Sequence, residues 1–552
     1  MSDMAAGLRG TPAGLNRARL VDAIALGVVA VVLALVLTTV IRSPLKDDVA
    51  WLLWVSRKWL QGRQLYVDLV EVNPPLVVWL YAIPAGAALW LNIAPKFAST
   101  LFFAAMLLGS AWWTATLLQG RAPLFERRIP VFAVIATLLL VLPGVEFGQR
   151  EHLLAAWVLP YIALFVRALE GEREPRVQGA LAGAIAAIGC AMKPSYGLAL
   201  LIVEVMGVLR GHRRLRLAPV SFVLTTGLYG LAVLLFEPDF LTKAVPLALA
   251  LYGGTDTPVW HILSESRILL FGQVVALVLC WHSQATLGRH SPFLRHLYLA
   301  LVAFGVTCTV LFVGQGKDWF YHSLPATTAT VLALILWLVV VLRAQSGTLM
   351  AGVPVPVRAA AALPWRRLAA PVGLTAVALL AFGAANVQRI RPWAMAAAEP
   401  NLSTEVKLVK LIKREKAKTY IAFSEWIALG FPVVNDAGVS WASRFDSMWA
   451  LRGEIWKIQQ EGTAPKEWPI RRWVARDFVA GCPDIAVVDP RGGINYIAVL
   501  AATDPDFARA WASYREIAVI DGLRVFRRDD AGCAAEPLPP GRAPQANVLP
   551  SE

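Results

Sequence analysis

Residues 21–41 read VDAIALGVVAVVLALVLTTVI, the link RSPLK follows, and residues 47–62 read DDVAWLLWVSRKWLQG. The first run is apolar after Asp22 and, at 1.5 Å per residue, long enough to cross the ~30 Å hydrocarbon core of a bilayer. It is expected to be a retained transmembrane helix rather than a cleavable signal. In the second run Val49, Leu52, Leu53 and Leu60 lie among Trp51, Trp54 and Trp59, with Arg57 and Lys58 nearby. Trp-rich amphipathic helices of this kind lie in the plane of the membrane interface.

The rest of the chain follows this lead. Of its 552 residues 57% are hydrophobic and 16% charged, against roughly 45–50% and 25% in soluble domains, which excludes a conventional soluble enzyme. Residues 391–552 hold 41 of the 90 charged residues, and their 21 Lys+Arg nearly cancel their 20 Asp+Glu, so +13 of the net +14 belongs to residues 1–390. Charge of this origin reflects orientation in a bilayer and points to no nucleic-acid partner.

Apolar stretches of spanning length recur at 21–41, 97–118, 130–146, 153–169, 178–192, 198–210, 217–236, 268–282, 297–313, 324–342 and 369–387. A further one, 74–91, contains Pro84, and counting it as a span would reverse every later loop. Placed instead in a long first outer loop, 42–96, it leaves 19 of the body's 31 Lys+Arg on the inner side, as the positive-inside bias requires. The expected organisation is a cytoplasmic N-terminus (1–20), a transmembrane body of about eleven helices plus interfacial helices (21–390), a small outer α/β domain (391–536) and a disordered Pro-rich tail (537–552). Strands are expected at 419–424, 484–489 and 516–528, the last folded at the hairpin signal Asp521-Gly522, with helical pieces such as 403–416 between them. Cys482 and Cys533 could pair there in an oxidising compartment, while the spacing of the five cysteines gives no metal-site signature.

With this topology the polar motifs fall on the outer side: Lys46-Asp47-Asp48, Asp68 and Glu71, EFGQREHL (146–153), KPSYG (193–197) and GQGKDWFYHSLP (314–325). Charges at span ends are costly unless they face a cavity or a partner, so they point to an aqueous site at the outer surface. Asp47, Asp48, Glu71 and Glu151 supply potential general bases, and Asp47, Glu71 and Glu151 could also hold a divalent cation through oxygen. Arg150, Lys193, Lys317, His152 and His322 could take a phosphate, with Tyr196 and Tyr321 beside them. A substrate with a phosphate head and a lipid tail suits such a set.

DDVAW, GRQLYVDL, VNPPLVVWLY and the short polar motif GQREHL together resemble the GT-C superfamily of membrane glycosyltransferases, in particular the aminoarabinose–lipid A and protein mannosyltransferase branch and its bacterial envelope relatives. The likeness covers residues 20–200 by motif and the remainder by architecture. It implies transfer of a sugar, with inversion, from a polyprenyl-phosphate donor to a lipid, glycan or protein hydroxyl at the outer face of a bacterial inner membrane. It also implies that Asp47, with Asp48 second in the motif, is the base that deprotonates the acceptor, and that Glu151, His152 and Arg150 form the second polar motif. Where the branch has Lys-Pro-Pro this chain has Asn73-Pro74-Pro75, so the phosphate contact is expected from Lys193 or Lys317.

Each motif also has a plainer reading. The acid pair could complement the N-terminus of the interfacial helix. Arg150 and Glu151 could simply pair, Lys193 could snorkel, and Trp319, Phe320 and Tyr321 could belong to an aromatic belt. The stretch NDAGVSWASRFDSMW (435–449) could form an acceptor surface or pack the outer domain in place. A flippase for a lipid-linked substrate is the competing function and would need charges at mid-span depth, of which Glu204 is one of few. A structural protein that recruits partners through its outer domain is a third.

Overall fold

The computed structural model describes residues 12–212, 214–345, 365–463, 465 and 467–529. The protein is an α-helical multi-pass membrane protein with a small C-terminal α/β domain. All eleven apolar stretches fall on helices. Eight of these, among the described residues, are long and apolar enough to cross a bilayer: Ala18–Arg42, Pro95–Leu118, Arg150–Leu169, Leu217–Phe236, Arg267–Gly288, Pro292–Gly314, Phe320–Gln345 and Arg366–Ala398. Arg128–Val141, Arg176–Ala191 and Pro194–Leu209 are equally apolar but shorter. Punctuation in the sequence explains two of these: Pro143-Gly144 follows the first and Lys193-Pro194 the second, each leading into a single 3-10 turn. The chain divides into two compact units, the described parts of Met1–Thr38, Leu101–Tyr229 and Thr257–Pro392, and those of Thr39–Thr100, Gly230–Asp256 and Trp393–Glu552.

In the first unit Pro292–Gly314 and Leu324–Gln345 pack along each other and against Arg267–Ser283, with Leu324–Gln345 also on Arg150–Trp157 and Pro292–Gly314 on Leu159–Leu169. Of the apolar window in Arg150–Leu169, 94% is buried, against 6% in Leu217–Phe236. The latter presents Val223, Leu224 and Leu228 outward, a surface suited to lipid tails. Polar side chains inside the bundle bond to neighbouring helices, as hydrocarbon demands. The Gln273 amide donates to the Gly305 carbonyl at 3.0 Å and the Thr309 hydroxyl at 2.7 Å, and the Trp337 indole to the Thr286 hydroxyl at 3.2 Å. At Gly183 a Cβ would lie 2.1 Å from the Ala218 carbonyl oxygen, so only glycine permits that helix crossing.

One end of these helices gathers the segments expected on the inner side. Arg127 pairs with Asp22 at 2.5 Å, Arg121 with Glu172 at 2.6 Å, His296 with Glu170 at 2.6 Å and Arg216 with Glu174 at 3.5 Å. Residues 146–153, 193–197 and 314–325 lie at the opposite helix ends. The two sets of segments thus lie at opposite ends of this unit's helices.

In the second unit the two expected surface helices, Asp47–Leu60 and Pro75–Leu91, pack together, with the Ser56 hydroxyl donating to the Val78 carbonyl at 2.9 Å. The C-terminal sheet comprises β1 (Thr419–Phe423), β2 (Ser440–Trp441), β3 (Ile485–Val488), β4 (Tyr514–Ile520) and β5 (Leu523–Arg528) in the order β2-β1-β3-β5-β4. β1 pairs in parallel with β2 and β3, and β5 is antiparallel to β3 and β4. Asp521 and Gly522 turn the β4–β5 hairpin with φ of 49° and 82°, which is why the Asp-Gly pair occupies that turn. Phe423, Phe478, Phe507 and Trp511 form its aromatic core, with Phe478 and Phe507 centroids 4.8 Å apart. Cys190, Cys280 and Cys308 are free and Cys482 is disulfide-bonded. Its candidate partner Cys533 and the Pro-rich tail lie outside the described residues.

Removing a ring from this core leaves a cavity, so Phe478→Ala is expected to cost about 3–5 kcal/mol. Val519→Ala, at an exposed position, should stay within about 0.5 kcal/mol. Thermal unfolding of the purified protein in nanodiscs checks both, and equal shifts would contradict the packing described.

Candidate functional site

The sequence FGQREHL places its polar residues through a tight turn. Gly148 has φ of 88°, and a Cβ there would lie 2.6 Å from the Phe103 ring, so the turn requires glycine. Helix Arg150–Trp157 starts directly after it, with Arg150, Glu151 and His152 all buried. His152 secures the turn: its Nδ1 accepts the Gly148 N–H at 3.2 Å and its Nε2 donates to the Leu139 carbonyl at 2.7 Å. Both ring nitrogens are thereby engaged with backbone, and the residue is separated in role from its two neighbours.

Glu151 is fully buried, and three side chains from separate segments approach it. Lys193 Nζ lies 3.4 Å from Oε1, His322 Nε2 lies 3.5 Å from the same oxygen, and Arg150 Nε lies 3.8 Å from Oε2. Lys193 Nζ is also 3.2 Å from His322 Nε2. Lys317, itself buried, joins Arg150 and Lys193 within electrostatic reach of the His322 ring. Tyr196 donates its hydroxyl to the His322 carbonyl and receives the Gln315 amide at 3.4 Å. The Tyr321 ring lies under the Arg150 guanidinium at 5.8 Å and meets the His322 ring edge-on at 4.5 Å. Seven expected residues, Arg150, Glu151, Lys193, Tyr196, Lys317, Tyr321 and His322, are thus brought together in the first unit. The ion contacts to Glu151 are long for hydrogen bonds, an arrangement from which cations can turn toward an incoming anion.

The acidic candidates of the second unit separate by environment. Asp47 begins helix Asp47–Leu60, where its Oδ1 accepts the Asp48 N–H at 2.9 Å and lies 3.2 Å from Lys46 Nζ. Burial first, and Asp48 as well, push its carboxyl above the usual range against the pull of Lys46. Glu71 is otherwise employed. One oxygen accepts the Trp51 indole N–H, and the other accepts Val72 N at 2.8 Å, Asn73 N at 2.7 Å and Asn73 Nδ2 at 2.6 Å. Four donors on one carboxylate make it a structural pin, and they also account for asparagine at position 73.

A further carboxylate lies in the stretch 435–449, which is threaded against the first loop. Asn435 Nδ2 donates to the Ala50 carbonyl at 2.9 Å and Val70 N to the Arg444 carbonyl at 2.8 Å. Asp446, buried in this segment, is pushed up to about 8 by desolvation first and then by Glu71 and Asp48. The sequence reading singled out the stretch for its polar and aromatic mixture without naming Asp446; the plainer alternative, a packing loop, describes these contacts. Among the described residues no three His, Cys, Asp or Glu side chains are grouped so as to hold a metal ion.

Comparison with known proteins is sparse. No family model and no curated protein matches the chain. The chain is similar to two solved structures of an oligosaccharyltransferase from Archaeoglobus fulgidus, each at 11% identity over 89% of this chain and 72% of that one. One is AglB in complex with an inhibitory peptide and a dolichol-phosphate (TM-score 0.44), and the other is tethered to an acceptor peptide containing the NVT sequon (TM-score 0.47). Likeness of this size says nothing by itself about what the chain does.

Proposed function

We propose that the protein is a membrane glycosyltransferase that moves a sugar from a polyprenyl-phosphate donor to a hydroxyl of an envelope acceptor at the outer face of a bacterial inner membrane. The observation that carries this reading is the convergence of Arg150, Lys193 and Lys317 with His322 around Glu151, at one end of a helical unit otherwise built for hydrocarbon. Such a group suits a phosphodiester whose lipid tail runs along apolar helices. The acceptor oxygen bonds to the anomeric carbon, its proton passes to a carboxylate base, the role the first-loop motif proposes for Asp47, and the carbon–oxygen bond to phosphate breaks with inversion. Polyprenyl phosphate then leaves with its charge stabilised by the cations. Burial that raises the basicity of Asp47 fits the role of base. The disulfide at Cys482 fits a C-terminal domain on the oxidising side of the membrane. The transport alternative loses its mid-span charge, because Glu204 accepts from the Tyr161 hydroxyl at 2.7 Å and pairs with Arg216.

In nanodiscs, with a panel of polyprenyl-phosphate sugars and an envelope-lipid extract as acceptor, wild type should release polyprenyl phosphate from one donor. Asp47→Asn should lower the turnover about 10²–10⁴-fold without changing the unfolding temperature; retention of full turnover would remove Asp47 from the role of base. Lys193→Ala should weaken binding of polyprenyl phosphate roughly tenfold, about 1.4 kcal/mol, as measured by titration with the bare lipid phosphate.

Asp446 sets a dependence on pH. Its carboxyl is raised from 3.8 to about 8 in the fold, so the folded state holds the extra proton. The associated stability is full below about pH 4 and is lost as pH rises through about 8. Asp446→Asn should flatten the fall in unfolding temperature between those limits; an unchanged slope would assign the fall to other groups.

A further inference from the structure

The segment 317–323 serves two places at once. Lys317 and His322 belong to the cationic group, whereas Asp318, Phe320 and Ser323 line a partly enclosed cavity of about 260 Å³ within the same unit. This is below the ~300–1,000 Å³ of pockets that hold drug-sized ligands and is scaled to a single ring. Phe320 forms one wall and carries the Arg389 guanidinium flat on its face, 3.6 Å from the ring centroid. Phe382 and Phe312 add apolar surface, and Ser323 and Thr327 add hydroxyls. The remaining polar lining is Ser266, two acids, Glu265 and Asp318, and His261, whose Nε2 lies 3.6 Å from an Asp318 oxygen.

Aromatic walls, hydroxyls, two carboxylates and one fixed guanidinium match a polyol: the carboxylates accept from hydroxyl groups, the guanidinium donates, and ring C–H faces pack on phenylalanine. Two acids, one of them facing His261, against one arginine make the cavity unfavourable to a further carboxylate. We propose that this cavity is the subsite for the transferred sugar ring and that it selects a sugar without an acidic group, excluding uronic acids. The proposal rests on the glycosyltransferase reading for the identity of the sugar as donor, and on the cavity alone for the binding of a sugar.

The two can be tested separately with water-soluble probes that carry neither phosphate nor lipid. Saturation-transfer NMR on the full-length protein in nanodiscs, with methyl hexopyranosides, methyl pentopyranosides and methyl hexuronides, reads the cavity directly. At least one neutral glycoside should receive saturation, the hexuronides at least tenfold less. Ser323→Phe, which fills the cavity, should abolish the signal, and Arg389→Gln, which leaves it open, should reduce it severalfold. Titration of the same variants with bare polyprenyl phosphate should match wild type. No saturation of any neutral glycoside, equal saturation of the hexuronides, or a signal unaffected by both variants would overturn the subsite. If the glycosides bind as described while polyprenyl phosphate does not bind wild type, the donor assignment fails and the sugar subsite stands.

Discussion

Glu151 places a carboxyl group where no solvent reaches it, and the first unit surrounds that group with basic side chains. An ionised carboxylate in a low-dielectric interior is costly unless cations and hydrogen-bond donors surround it. The chain brings Arg150 from the start of the same helix, Lys193 from the end of Arg176–Ala191, and His322 from the turn before Leu324–Gln345. Three helix ends that share nothing in sequence thereby meet around one side chain. The turn at Gly148, the backbone bonds of His152 and the Tyr196 hydroxyl on the His322 carbonyl keep those ends in place. The basic side chains that face Glu151 are the ones a phosphate would recruit, so structural and chemical demands on the cluster coincide.

The second unit handles acids differently. Glu71 is satisfied by neutral N–H donors, Asp47 by its own helix and Lys46, and Asp446 by keeping its proton up to about pH 8. Three nearby carboxyl groups, Asp48, Glu71 and Asp446, need not all be charged together. This lets the C-terminal domain lay residues 435–449 against the first loop without a cation at every acid.

What the sequence made legible is what hydrocarbon enforces. A backbone in lipid must be helical, so apolar length located the eight described helices long enough to span, and the loops rich in Arg and Lys meet in ion pairs such as Arg121–Glu172 and Arg127–Asp22. The Asp521-Gly522 hairpin was equally legible, because few residues tolerate positive φ at both turn positions. Span length was less so: the apolar run 130–146 continues through Pro143 and Gly144, where the helix has already ended. Roles within the polar motifs were hidden. Glu71 and Glu151 look alike in a string, and only tertiary neighbours make one a pin and the other the centre of a cationic group. Asp446 and Arg389 were missed because what matters about each is set by partners distant in sequence, Glu71 and Phe320 respectively.

The double service of residues 317–323 limits how the protein can change over evolutionary time. Positions serving the cationic group and the cavity are interleaved in one short segment, so an insertion or deletion there would displace both sets of side chains. The cationic group and the cavity are coupled through this turn. A change in what the cavity accepts is therefore expected to come by substitution on the opposite walls, at residues 261–269 and 382–389, while the turn itself drifts slowly. The cavity has one wall free to diverge and one wall held in place by its neighbour.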